Sequence, residues 1–167
     1  LYRCVKEIKG KDRLRTWIRH LFASAFGEGG GVETRFYSSD KKYLSLKPMT
    51  GESARERIKN LIELFERGMC EPLPFFPEAS FAFESERLNP SPEKKGDETT
   101  IPAAKALVEA RNKWKSGHHH IGEGEYSANQ LCFREEPFED PAFANLAAEV
   151  FGPLIKSSGS EGGARNE

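Results

Sequence analysis

Long apolar runs are missing from this chain, and none approaches the roughly 20 residues that a membrane-spanning helix needs. Cysteine is scarce: Cys4, Cys70 and Cys132 stand far apart, an odd count with no Cys-x-x-Cys pair. That argues against a disulfide scaffold or a zinc site and fits a reducing cytosol. A basic-then-apolar leader is absent as well, and the first residue is Leu1 rather than Met. The chain is therefore expected to be a piece of something longer. Core material is thin, with 37% hydrophobic against 31% charged residues, so a soluble domain of modest core is expected from 167 residues. The glycine run Gly29-Gly30-Gly31 is followed by no Gly-Lys-Ser/Thr and opens no helix, which speaks against a phosphate loop. No Gly-x-Ser-x-Gly, Ser/His/Asp or Cys/His arrangement is recognisable.

What is present is an uneven charge distribution. Net charge is only −1, yet residues 1–69 hold 15 Lys and Arg against 9 Asp and Glu, and the remainder is correspondingly acidic. The first stretch concentrates Lys9, Lys11, Arg13, Arg15 and Arg19. A local basic patch is the electrostatic footprint of a phosphate-binding surface, and equally the ordinary polar face of a solvated helix.

The pattern along the chain predicts α+β. Residues 2–8 alternate as a strand, Lys9-Gly10-Lys11 turns, and Asp12 caps a helix from Arg13 to about Phe26. Leu14, Trp17, Ile18, Leu21, Phe22 and Ala25 form its apolar stripe, with Trp17, Leu21 and Phe22 expected on a sheet. His20 falls on the polar side with no evident partner. A hairpin follows, Val32–Ser39 and Tyr43–Lys47. A capping box at Ser53–Glu56 opens a second helix carrying Ala54, Ile58, Leu61, Ile62 and Phe65, and Gly68 closes it. Residues 71–77 hold three prolines and two phenylalanines, which predicts an extended segment pinned on the core and continuing through Ser80–Phe83. Asn89–Thr99 is expected to be a mobile loop. A third helix starts near Thr100 and Pro102 with Ala103, Leu107, Ala110 and Trp114 inward. Leu131-Cys132-Phe133 reads as a short strand. The final helix follows Asp140-Pro141, shows Phe143, Leu146, Ala147, Val150 and Phe151 inward, and stops at Gly152-Pro153. Residues 156–167 read as a disordered tail and residues 1–155 as one domain.

Two groups could carry chemistry. His118-His119-His120, with Glu123 and Glu125 nearby, suggests at most adventitious metal binding, since adjacent side chains point apart. Glu7-Ile8-Lys9 has the Glu-x-Lys form of the PD-(D/E)xK nucleases, where a strand presents an acid that holds a divalent cation and a lysine that steadies the attacking water. The aspartate strand that such a site needs is absent here, so neither a catalytic set nor a metal site is expected, with Glu7 and Lys9 as the weak alternative.

Three segments together resemble one family. They are the helix Lys9–Leu21 with Asp12-Arg13-Leu14, Trp17 and His20-Leu21, the run from Gly68 through Glu71-Pro72-Leu73-Pro74-Phe75-Phe76-Pro77, and Gly122-Glu123 followed by Phe143–Leu154. In order and spacing they are similar to the C-terminus of the exodeoxyribonuclease V gamma subunit, the RecC chain of the RecBCD helicase–nuclease. The resemblance runs from about Tyr2 to Ile155. It implies a degenerate PD-(D/E)xK nuclease-like sheet with flanking helices, without the metal-binding acids, and a helical, irregular second half. It also implies a cytoplasmic bacterial complex for DNA-break repair and recombination, with alpha and beta sister subunits as partners, DNA as the substrate, and no membrane. ATP and Mg would be used by the sister subunits, with no cofactor in this segment. Lys9, Lys11, Arg13, Arg15 and Arg19 are then candidates for DNA contact or for a subunit interface. Two other readings stand beside this: an active metal-dependent nuclease, and an interaction domain unconnected with DNA.

Overall fold

The computed structural model describes residues 5–27, 31–40, 42–91, 102–117 and 121–159. Cys4, most of the Asn89–Thr99 loop, His118–His120 and residues 160–167 lie outside the described residues. The elements are α1 (Gly10–Phe26), β1 (Thr34–Tyr37), β2 (Tyr43–Leu46), α2 (Gly51–Cys70), α3 (Pro77–Leu88), α4 (Pro102–Trp114), α5 (Ser127–Cys132) and α6 (Pro141–Ser157), with single 3₁₀ turns at Glu123–Glu125 and Pro137–Glu139. The class is α+β, rich in helix. The described residues hold one sheet, of two antiparallel strands. The chain divides into two compact units, one of residues 1–70 with 156–167 and one of residues 71–155.

In the first unit the strand expected over residues 2–8 is not formed in its described part, which bends at Lys6 and Glu7. Helix α1 starts earlier than the sequence predicts. Lys9, in extended conformation, is the cap residue, and the amides of Asp12 and Arg13 donate to its carbonyl at 3.0 Å. Asp12 is thus inside the first turn, where its carboxylate accepts from the Lys9 amide at 3.4 Å and faces the positive end of the helix. Trp17 and Leu21 are buried as the stripe requires, but Phe22 is half exposed at 49%. The expectation that Phe22 joins the core is therefore wrong, because Trp17, Leu21 and Ala25 already form the buried strip and Phe22 lies beyond its edge. His20 is fully buried, stacked on Trp17 with centroids 5.6 Å apart.

The hairpin is present, slightly shorter than predicted. Its register pairs Thr34 with Leu46 and Phe36 with Leu44, so Leu44 and Leu46 are buried, while Tyr37 and Tyr43 stand opposite each other on the other face, 5.7 Å apart. The turn closes through Ser38, whose amide and hydroxyl both donate to the Lys42 carbonyl at 2.9 Å. The outer edge of β2 is met from far along the chain. Leu46 bridges Ser158, the Lys47 amide donates to Ser157 and the Gly159 amide to Ser45.

Helix α2 opens one turn ahead of the predicted box. Thr50 accepts from the Ser53 amide at 3.3 Å through its hydroxyl and from the Ala54 amide at 3.0 Å through its carbonyl, leaving Ser53 in the first turn. Gly68 does not stop it, since a glycine in a helix costs only about 1 kcal/mol. Arg55 ties the two helices together by donating to the Ala25 carbonyl at the C-terminal end of α1, 2.8 Å away. Ala54 and Ile58 are buried, but the same stripe continues exposed at Ile62, Phe65 and Met69.

The second unit is built on aromatic rings. The prolines of residues 71–77 keep the chain extended as far as Phe76, and Pro77 then opens α3 from its first position, where its missing N–H costs nothing. Ser80–Phe83 is therefore helical, not extended. Phe76 meets Trp114 edge-on at 4.6 Å and Phe133 at 5.2 Å, and Phe138 meets Phe143 at 4.7 Å. Helices α3 and α4 approach closely through fully buried Ala79, Ala106 and Ala110. Ala106 takes the inward position that the pattern gives to Ala103, which is exposed. Leu131 and Cys132 end helix α5 rather than forming a strand, and Leu131 is 84% exposed. Helix α6 runs through Gly152-Pro153 to Ser157, because buried Phe151 and Leu154 on either side outweigh the lost hydrogen bond of Pro153.

Candidate nucleic-acid interface

Helix α1 sorts the basic residues. At 100° per residue, Lys11, Arg15 and Arg19 fall on one face, and all three are exposed. Arg13 falls on the opposite face and is only 9% exposed, so it is removed from any surface site. Lys9 is exposed at the cap position. The one acid of α1, Asp12, is buried and used at the helix start. Among the described residues no carboxylate lies within ion-pair distance of Arg15 or Arg19.

Ile18, between Arg15 and Arg19, and Phe22, beyond them, are side chains that the hydrophobic pattern would put inside, and they share this face with Phe26. Ile18, Phe22 and Phe26 are exposed at 37%, 49% and 67%. They follow one another at four-residue spacing, and the Phe22 and Phe26 rings stand 5.9 Å apart.

The Glu-x-Lys tripeptide is arranged differently from the strand presentation that nuclease chemistry requires. Glu7 sits in a bend and Lys9 caps a helix, so the two do not alternate along one strand. Among the described residues no group of three or more His, Cys, Asp or Glu side chains is placed to hold a metal ion.

His20, expected on a polar face, has a partner from β1. Its Nδ1 is 2.9 Å from the Thr34 hydroxyl, while Nε2 is buried with no hydrogen bond of good geometry among the described residues. Burial pushes the imidazole below its ordinary value, and the nearby Lys47 backbone offsets part of this.

Sequence reasoning missed two acids. The Glu123 carboxylate accepts from the Glu78 amide at 3.1 Å and the Ala79 amide at 2.8 Å, capping α3 from 44 residues away. It is held there by a close wrap of the loop on Trp114. A Cβ on Gly122 would stand 2.1 Å from the Trp114 carbonyl oxygen, and one on Gly124 would stand 2.7 Å from the indole. The signal was available: Phe76 offers no side-chain acceptor, so the amides after Pro77 needed one from elsewhere. The second acid is Glu84, fully buried on α3 and held by two bonds from Arg87, at 2.6 and 2.7 Å.

Three further ion pairs tie the elements of the second unit. Arg111 reaches Glu136 at 3.0 Å and Glu139 at 2.6 Å, and Lys115 reaches Glu136 at 2.9 Å. Lys115, and then Arg111, hold the Glu136 carboxyl below the usual range. Burial pulls Glu86 upward, but hydrogen bonds from Ser91 and Lys105 outweigh it and leave the carboxyl lowered.

Residues 1–87 match the RecC C-terminal domain, and the chain belongs to that family. RecC is a subunit of the RecBCD complex. The matched residues cover α1, the hairpin, α2 and nearly all of α3, while the Gly122-Glu123 and Phe143–Leu154 segments lie beyond them. No curated protein matches the chain. Among the described residues no helix is long and apolar enough to cross a membrane.

Proposed function

We propose that this chain is the part of an exodeoxyribonuclease V gamma subunit that serves as a non-catalytic scaffold and guides DNA, working in the cytoplasm with the alpha and beta subunits. The observation that carries the reading is the exposed face of α1, a helix inside the matched residues, where among the described residues no carboxylate lies within ion-pair distance of Arg15 or Arg19. A polyanion is the natural occupant of such a face, since neutralised phosphates release counterions. Glu7 and Lys9, in a bend and a helix cap, support the non-catalytic side. The finer idea of a degenerate nuclease sheet rests on the family resemblance alone. ATP and Mg belong to the sister subunits in this reading.

The test uses the full gamma subunit assembled with its sister subunits. Glu7→Gln with Lys9→Ala is expected to leave cleavage of linear DNA unchanged. Arg15→Gln with Arg19→Gln is expected to weaken DNA engagement and flatten its salt dependence. Loss of cleavage in the first variant, with assembly intact, would favour a nuclease centre. An unchanged second variant would remove the DNA-guiding role.

A further inference from the structure

Helix α6 ends where a short strand begins. Ser157 is its last residue, and a carbonyl at that position has no donor within the helix. The Lys47 amide supplies one at 3.0 Å, and two residues further on the Gly159 amide donates to the Ser45 carbonyl at 2.9 Å. Leu46 faces Ser158 between these bonds. Ser45 and Lys47 thus turn their backbone groups away from β1, so Leu44 and Leu46, alternating with them, turn theirs toward it.

The two edges of β2 are unequally held. On the β1 side four residues pair, with Leu44 and Leu46 fully buried. On the other side three residues pair, Ser157, Ser158 and Gly159, and all three are only half-buried. The chain leaves the first unit after Cys70 and re-enters it at Lys156. While residues 157–159 are paired, the second unit is therefore attached to the first by two chain connections. When they are unpaired, the connection at residues 70–71 alone remains. Pro153, which removes one hydrogen bond from α6, lies just before the pairing starts.

We infer that residues 157–159 form a releasable clasp. Closed, it ties the second unit to the first at both ends of the intervening chain, and open, it leaves that unit on a single tether. A short, half-buried segment at a sheet edge opens with a free energy below that of global unfolding. The hairpin persists in both states, because the bonds that break lie on the side of β2 away from β1. This device does not rest on the DNA-guiding reading.

The geometry also supplies a lock. A Cβ on Gly159 would stand 3.7 Å from the Ser45 Cβ, inside the roughly 3.5–4.5 Å that a disulfide spans. In a chain with Cys4, Cys70 and Cys132 changed to Ser, Ser45→Cys with Gly159→Cys is expected to form that bond on oxidation. Amide hydrogen exchange of the whole chain, followed residue by residue, reads the clasp. In the unaltered chain Lys47 and Gly159 should exchange together, faster than Leu44 and Leu46. Gly159→Pro lacks the donor, and it should abolish the protection of Lys47 while leaving that of Leu44 and Leu46. Gly159→Ala keeps the donor and meets Ser45 at ordinary contact distance, so Lys47 should exchange as in the unaltered chain. The oxidised disulfide should slow Lys47 relative to its own reduced form. Spin labels on Lys59→Cys and Lys113→Cys, one exposed position in each unit, report the spread of distances between the units. Gly159→Pro should broaden that spread, and Gly159→Ala should not.

Exchange of Lys47 and Gly159 as slow as that of Leu44 and Leu46 would make the segment a fixed part of the sheet and overturn the inference. A distance spread unchanged by Gly159→Pro would overturn it as well, as would a disulfide that fails to form or that leaves Lys47 exchanging as in the reduced form.

Discussion

The carboxylate of Glu123 accepts the amide hydrogen of Ala79 at 2.8 Å and caps a helix to which it does not belong. The cap joins two sequence segments, the proline-rich entry to α3 and the Gly-Glu-Gly loop on Trp114, into one structural device. Glu123→Ala should destabilise the chain by about 1–2 kcal/mol, the usual cost of a lost helix cap. Denaturant unfolding measures this. Glu123→Gln, which keeps an acceptor but loses the charge facing the helix dipole, should cost less. Equal costs would mean that a neutral acceptor contributes nothing and that the charge carries the whole cap.

The two aromatic residues of α1 should respond in opposite ways. Trp17 is 1% exposed and Phe22 is 49% exposed, so Trp17→Ala should cost about 3–5 kcal/mol and Phe22→Ala should stay within about 0.5 kcal/mol, the range for surface changes. Comparing their unfolding midpoints checks the burial pattern directly. A large loss in Phe22→Ala would show that its ring packs after all.

Arg87→Ala leaves Glu84 buried without its counter-charge. A broken buried pair costs about 3–5 kcal/mol, but Arg87 is 44% exposed on its side chain, so a loss at or below the low end is expected. Replacing both partners, Glu84→Gln with Arg87→Ala, should recover part of that loss. A double-mutant cycle in which the two changes simply add would show that the pair is not coupled.

His20 makes stability depend on pH. Its imidazole lies below the ordinary 6.5 in the folded chain, so the unfolded chain takes up the proton first as pH falls. Stability is therefore full above about pH 6.5 and declines as pH drops through that value toward the lowered folded one. The lowered carboxyls of Glu86 and Glu136 act separately, through losses at more acidic pH. His20→Gln should remove the decline between about pH 7 and pH 5.5. Urea unfolding at a series of pH values is the measurement, and an unchanged profile would rule out His20 as its source.

The sequence makes the helices of high periodicity legible. Trp17 and Leu21 on α1, and Phe143 to Phe151 on α6, are buried where a 3.6-residue period puts them. Its errors have local causes. Pro77 reads as a helix breaker, yet it occupies the one turn that tolerates it. Gly68, Gly152 and Pro153 read as stops, yet neighbouring side chains carry the helix past them. The basic cluster is visible, but only the turn of α1 separates Arg15 and Arg19 from Arg13, and only exposure reveals Phe22 and Phe26 as part of the same face. Glu123 is beyond local reasoning, because its partners lie 44 and 45 residues away.

The bridge between Leu46 and Ser158 sets an order in time. A ribosome delivers β2 well before the segment that lines its outer edge, with the whole second unit made in between. Until that segment arrives, the outer edge of β2 offers open amides and carbonyls, and such an edge is a template for pairing with another chain. Nascent chains of this protein should therefore be most prone to mispairing in the interval before residue 158 emerges, and synthesis paused there should yield more aggregate than synthesis paused after it.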